Sequence, residues 1–168
     1  MTTKNNNTNW FLTIGFMAVV TITTLFLRIP TPTGGYFNFG DVAVVFCGLL
    51  LGKRGGLIAG GLGSAIADVL SGYAMFAPLT FVAKGIEGFV CGIAKGKKGF
   101  MYHFLPLIGA LSIIASYFLG ECIMPQIGFA SAVAELPANS IQAVGGYIGG
   151  KFLYELYSRM IKAETDEQ

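Results

Sequence analysis

The sequence predicts an all-α integral membrane bundle of six transmembrane helices, with the N- and C-termini cytoplasmic. Three observations carry that prediction. Of the 168 residues, 54% are hydrophobic and only 12% are charged, about half the charge of an average soluble domain. The apolar residues gather into six stretches parted by short polar breaks. Lysines and arginines fall almost wholly on alternate breaks, as the positive-inside rule requires of a multi-pass chain. A soluble domain of this size needs more charge to cover its surface, and a disordered chain holds fewer apolar residues. A net charge of +2, with no clustered basic face, excludes a nucleic-acid footprint.

A span takes about 20 mainly apolar residues to cross roughly 30 Å of hydrocarbon. The first covers 10–28 and is ended by Arg28 and Pro30. A signal peptide is the rival reading, but the apolar run is longer than the core of one and no small-x-small cleavage site follows it. The second, 41–52, is short: about a dozen residues make roughly 18 Å of helix. It either begins inside the preceding loop or crosses only part of the bilayer. Lys53-Arg54 separates it from the third, 55–70, and Ser71-Gly72-Tyr73 leads to the fourth, 77–94. Lys95, Lys97 and Lys98 close that span. The fifth, 100–120, is followed by a charge-free connection holding Pro125 and Gly128. The sixth, 136–156, gives way to a charged cytoplasmic tail at 157–168. All of it reads as one membrane domain, 1–168. With the N-terminus inside, every Lys and Arg except Arg28 and Lys84 falls on the cytoplasmic side.

Orientation lets depth be read. Asp41 opens the second helix on the outer side and Asp68 lies near the outer end of the third. Lys84 and Glu87 lie about two turns into the fourth, Glu121 ends the fifth, and Glu135, Asn139 and Gln142 occupy the outer turns of the sixth. Ionisable groups inside membrane helices are costly, by roughly 2.5–3.5 kcal/mol each, and usually face a cavity or a partner. Each has a plainer explanation. Lys84 and Glu87, three residues apart, can neutralise one another; Asp41 can cap its helix; Glu121 can sit in solvent; Asn139 and Gln142 can glue helices together. Their shared depth favours an outward-facing pocket for a small polar molecule.

The loop from Ile29 to Gly40 carries Pro30 and Pro32, which stiffen it, then Gly34-Gly35, which free it. Tyr36, Phe37 and Phe39 follow, with Asn38 among them. Such a loop can close over a pocket and stack on a flat ligand, or serve as an interfacial aromatic belt; Tyr73 has the same two readings. Small residues recur at helical spacing: Gly56, Gly60, Gly63 or Ser64, and Ala67; Gly85, Gly88 and Gly92; Ala138, Gln142, Gly146 and Gly150. They predict close helix packing.

Several motifs fail. Gly145 to Lys151 imitates a phosphate loop, but Phe152 stands where Ser or Thr is required and no strand precedes it. Cys47, Cys91 and Cys122 have no metal or disulfide spacing. His103 stands near the cytoplasmic side with no evident partner. Ser64 with Lys84 would suit a membrane hydrolase, without any supporting motif. No catalytic residue, metal or cofactor is expected.

The blocks Gly35-Tyr-Phe-Asn-Phe-Gly-Asp41, Gly48-Leu-Leu-Leu-Gly52, Gly60-Gly-Leu-Gly-Ser-Ala-Ile-Ala-Asp68 and Ala77-Pro-Leu-Thr-Phe-Val-Ala-Lys84-Gly-Ile-Glu87-Gly resemble the substrate-binding S components of energy-coupling factor (ECF) vitamin transporters. The resemblance covers about residues 10–155 and is nearest to the hydroxymethylpyrimidine or pyridoxine type, with pantothenate and riboflavin types beside it. It implies a high-affinity vitamin-binding subunit in a prokaryotic plasma membrane, with the first outer loop as a lid. It also implies docking through the first helix onto a transmembrane coupling subunit (T component), driven by two cytoplasmic ATPase subunits. The family's Ala-x-x-x-Ala docking signature is altered here, since Ala18 has Ile14 and Ile22 at those offsets. Gly15, Ala18 and Thr21 still form a small-residue stripe. The ligand-facing groups expected are Asp68, Lys84, Glu87, Asn139 and Gln142, with Tyr36, Asn38 and Tyr73 from the loops. A self-contained channel or facilitator is the competing class.

Overall fold

A computed structural model describes residues 8–31 and 36–166. The expected hinge at Gly34-Gly35, together with Pro32 and Lys4, lies outside the described residues, as does the side chain of Phe37. Six helices form: α1 (Trp10–Phe26), α2 (Gly40–Leu51), α3 (Lys53–Leu70), α4 (Ala77–Ile93), α5 (Phe100–Ile123) and α6 (Gly128–Asp166). The described residues after α1 depart from an all-α reading. Arg28–Pro30 (β1) pairs antiparallel with Tyr36–Asn38 (β2), setting Arg28 opposite Asn38 and Pro30 opposite Tyr36.

Local chemistry sets the helix limits. The Asn9 side chain accepts from Leu12 N at 3.2 Å and caps α1, satisfying one of the amides a helix start leaves open. Pro78 sits in the first turn of α4, where its missing N–H costs nothing. The end of α3 is a Schellman stop: Gly72 takes φ +85°, Tyr73 N bonds Asp68 O at 2.8 Å and Gly72 N bonds Val69 O at 3.3 Å. That turn folds Tyr73 back beside Asp68.

α2 is the centre of the molecule. The other helices run α1, α3, α4, α5, α6, each packed on the next, and α2 touches all five. This explains its shortness: buried on nearly every side, from Asp41 to Leu49, it needs no lipid-facing length. At the gap between α1 and α6, Phe46 of α2 lies edge-on to Phe16 at 5.7 Å and to Tyr157 at 6.1 Å. The tightest crossing joins α3 to α4. A Cβ on Gly56 would lie 2.3 Å from the Gly88 carbonyl oxygen, and one on Gly88 would lie 2.2 Å from that of Gly56. Only glycine lets the two backbones meet there.

The outside is apolar. On α1, Phe11 is 87% and Phe26 80% exposed, and Trp10, Ile14 and Ile22 are also open. Among the described helices only α5 is long and apolar enough by itself to cross a membrane; α1 and α2 are apolar but shorter. Glycine and buried polar groups dilute the rest.

α5 and α6 run past their expected limits. α5 continues through Glu121 to Ile123, and α6 extends beyond 136–156 at both ends, to roughly 58 Å. Pro137 lies inside α6 without ending it, which membrane helices tolerate when neighbours satisfy the freed backbone. The residues after 156 continue the helix, helped by the Lys151–Glu155 pair at 3.3 Å, one turn apart. His103, expected to be unpartnered, is bonded to Lys151 across the α5–α6 seam. That ammonium also lies 4.9 Å from the Tyr102 ring.

Candidate functional site

The site forms where the β1–β2 hairpin folds over one end of the bundle. Its deepest layer is ionic. Lys84 of α4 is hydrogen-bonded to Asp41 of α2, and its ammonium lies 3.8 Å from Glu87 Oε2. All three side chains are almost wholly buried. The expected Lys84–Glu87 pair is therefore present, but Asp41 is the nearer partner. As a possible helix cap, Asp41 gave no sign of this in sequence, because its cation lies on another helix. The backbone makes room for it: a Cβ on Gly146 of α6 would lie 2.6 Å from Asp41 Cβ.

Above this layer lies a small cavity of about 30 Å³, lined by Tyr36, Asn38, Phe76, Thr80, Tyr117, Glu121, Glu135, Asn139 and Gln142. Helical spacing assembles the walls. Thr80 is one turn from Lys84, Tyr117 is one turn from Glu121, and Glu135, Asn139, Gln142 and Gly146 share one face of α6. Tyr117 donates to Thr80 Oγ1 at 3.2 Å, and the Lys84 ammonium lies 5.5 Å from the Tyr117 ring. The Lys84 layer thus touches the wall without opening into the cavity.

The hairpin is the roof, tied to the bundle through several of its described residues. The Tyr36 phenol donates to Asp68 at the end of α3, and its ring packs edge-on against Tyr73 at 4.9 Å. Asn38 N donates to Gln142 Oε1 at 2.9 Å, while Asn38 Oδ1 accepts from Gly40 N at 2.7 Å at the start of α2. Thr31 donates to Glu135 Oε1 at 2.5 Å. Burial, reinforced by the Asp68 carboxylate, pushes the Tyr36 phenol well above its ordinary range. It remains a proton donor at any ordinary pH.

Of the residues expected to face a ligand, Tyr36, Asn38, Asn139 and Gln142 line the cavity. Asp68 and Tyr73 instead hold Tyr36, and Lys84 and Glu87 lie in the ionic layer below. Sequence reasoning missed Phe76, Thr80 and Tyr117 and left Glu121 and Glu135 among the merely polar. The signal was available: each lies one helical turn or less from a residue already singled out. Of the α1 stripe, Gly15 and Ala18 are exposed, and Gly15 has open space around it. Thr21 turns inward, donating to Gly63 O of α3 at 2.9 Å. Ser64 makes no hydrogen bond through its hydroxyl and Lys84 is engaged elsewhere.

A helical body, apolar outside and polar around one covered cavity, has the outline of a membrane-embedded solute-binding protein. Residues 5–159 match the family described as ECF-type riboflavin transporter, S component, and the chain belongs to that family. A Pyrococcus woesei protein described only as uncharacterised is 39% identical over 145 residues, which is 84% of this chain and 96% of its own. The thiamine precursor transporter HmpT of Lactococcus lactis subsp. cremoris (strain MG1363) is 28% identical over 131 residues, covering 78% of this chain and 75% of that protein. Family membership makes the chain a membrane transport component rather than an enzyme.

Proposed function

We propose that the chain captures a small water-soluble vitamin or vitamin precursor of the hydroxymethylpyrimidine type from outside the cell. It hands that ligand to a T component driven by two cytoplasmic ATPase subunits. The observation that carries the choice of ligand is the state of Lys84. A carboxylate such as pantothenate needs a cation in the pocket, and Lys84 is neutralised by Asp41 and Glu87 below it. The cavity itself offers aromatic rings, amides and carboxyls, which suit a heterocycle with N–H and hydroxyl groups. The likeness to HmpT, a thiamine precursor transporter, points the same way. Riboflavin is the second reading, favoured by the description of the matching family.

With room for about two water-sized spheres, the cavity admits a vitamin only when the hairpin lifts. The described residues of the hairpin are held by individual polar and ring contacts rather than by a packed core, and lifting it exchanges those contacts for ligand and water. Gly15 and Ala18 on the open face of α1 are the docking surface for the T component.

The experiment is titration of the purified chain with hydroxymethylpyrimidine, pyridoxine, pantothenate and riboflavin, followed by reconstitution in liposomes. Expected are tightest binding of hydroxymethylpyrimidine and no flux from the chain alone. Flux without partners and ATP identifies a facilitator and overturns the reading.

A further inference from the structure

The polar groups around the cavity differ in what they can offer a ligand. Glu121 of α5 and Glu135 of α6 both line it and are 5% and 6% exposed, yet none of the described lysines and arginines does. Among the buried polar atoms, Glu121 Oε2 accepts no hydrogen bond and Asn139 Nδ2 donates none. Asn139 is 8% exposed. A buried polar atom left without a partner costs about 1–3 kcal/mol, and native folds leave few without a reason. Here the two orphans are complementary in kind, one an acceptor and one a donor, on the walls of one cavity.

An amino-substituted nitrogen heterocycle presents the matching pair, exocyclic N–H donors beside a ring-nitrogen acceptor. We propose that Glu121 and Glu135 accept hydrogen bonds from the ligand's exocyclic amine while the Asn139 amide donates to the adjacent ring nitrogen. The pocket is thereby specific for the amino edge. This rests on the vitamin-binding reading above and adds the group that the pocket reads. An oxo group in place of the amine sets an acceptor against carboxylates, and a ligand carboxylate meets like charge. Sites built around a particular hydrogen bond reject analogues lacking it far more strongly than apolar pockets reject a missing methylene.

The test uses the full chain in detergent and two probes, 4-amino-5-hydroxymethyl-2-methylpyrimidine and its 4-oxo analogue, measured by calorimetric titration. The unaltered chain is expected to prefer the amino compound by about 30-fold, equivalent to about 2 kcal/mol. Glu121→Gln and, separately, Glu135→Gln are expected to cut that preference to about fivefold or less, because an amide also donates to an oxo group. Thermal unfolding identifies the variants that fold. Equal affinity of the unaltered chain for both probes overturns the inference without recourse to any variant. Tight binding of the amino probe with the full preference kept in a folded variant also overturns it, while leaving the vitamin-binding reading intact. Binding of neither probe, with riboflavin bound instead, overturns the inference and the hydroxymethylpyrimidine reading and leaves the riboflavin reading of the same site.

Discussion

The Lys84 ammonium is buried between two carboxylates, Asp41 of α2 and Glu87 of its own helix. A cation three residues before a glutamate on one helix looks like a ligand contact or a local pair. Its nearest partner is Asp41, 43 positions earlier and on another helix. Removing one member of a buried ion pair leaves an uncompensated charge. Lys84→Met is therefore expected to cost about 3–5 kcal/mol of stability, read as a large fall in the thermal midpoint in detergent. Loss of binding should track loss of fold. A stable Lys84→Met protein that no longer binds its ligand would return Lys84 to the pocket. Tyr36 is a milder case. Tyr36→Phe removes the bond to Asp68 but keeps the ring packing on Tyr73, so the closed position of the hairpin, rather than the bundle, loses about 1–2 kcal/mol. The expected readout is ligand dissociation faster by about tenfold, with a nearly unchanged thermal midpoint.

At the scale of elements, small-residue spacing announced the crossings and the structure identifies which glycines make them. Gly56 and Gly88 meet backbone to backbone, whereas Gly15 and Gly145 face open space. The two groups look alike in sequence because spacing records a face, not what lies opposite it. Gly56→Ala is expected to destabilise by about 1–3 kcal/mol, since a backbone oxygen cannot step aside, and Gly15→Ala is expected to have little effect. Comparative melting of the two variants checks this. Existence and order of all six helices were legible, because hydrophobic runs and basic breaks are strong signals. The ends of α6 and the β1–β2 ribbon were not. A helix carrying Glu135, Pro137 and Asn139 loses its apolar signature where it lines the cavity. A ribbon of two three-residue strands has no periodicity to detect.

At the scale of the whole molecule, a polar end under the hairpin is set apart from the apolar face of α1, and this division was only half legible. Converging depth revealed one polar end, and four of the expected ligand-facing residues line its cavity. Of the remaining four, Asp68 and Tyr73 hold Tyr36, and Lys84 and Glu87 belong to the ionic layer with Asp41, a distinction that requires contacts between helices distant in sequence. On the opposite count, α1 leaves Gly15 and Ala18 open while Thr21 is bound to α3. If α1 docks a T component, Gly15→Leu fills that face without touching the cavity. Ligand affinity is expected to stay within about twofold, as for ordinary surface changes. Uptake by the reconstituted complex should fall on the order of tenfold, the effect of about 1.4 kcal/mol at an interface. Parallel loss of both would mean that α1 shapes the site instead.

The bond between Asp41 and Lys84 also constrains how the protein is made. α2 emerges from the ribosome long before α4, and a chain growing at about 5–20 residues per second supplies Lys84 roughly 2–9 seconds after Asp41. Until then the carboxylate has no cation, and α2 lacks the α4 and α6 surfaces that later enclose it. A short helix in that condition has little reason to settle in hydrocarbon alone. Its placement is consequently expected late in biogenesis, once α4 delivers the counter-charge and α6 brings Gly146 against Asp41.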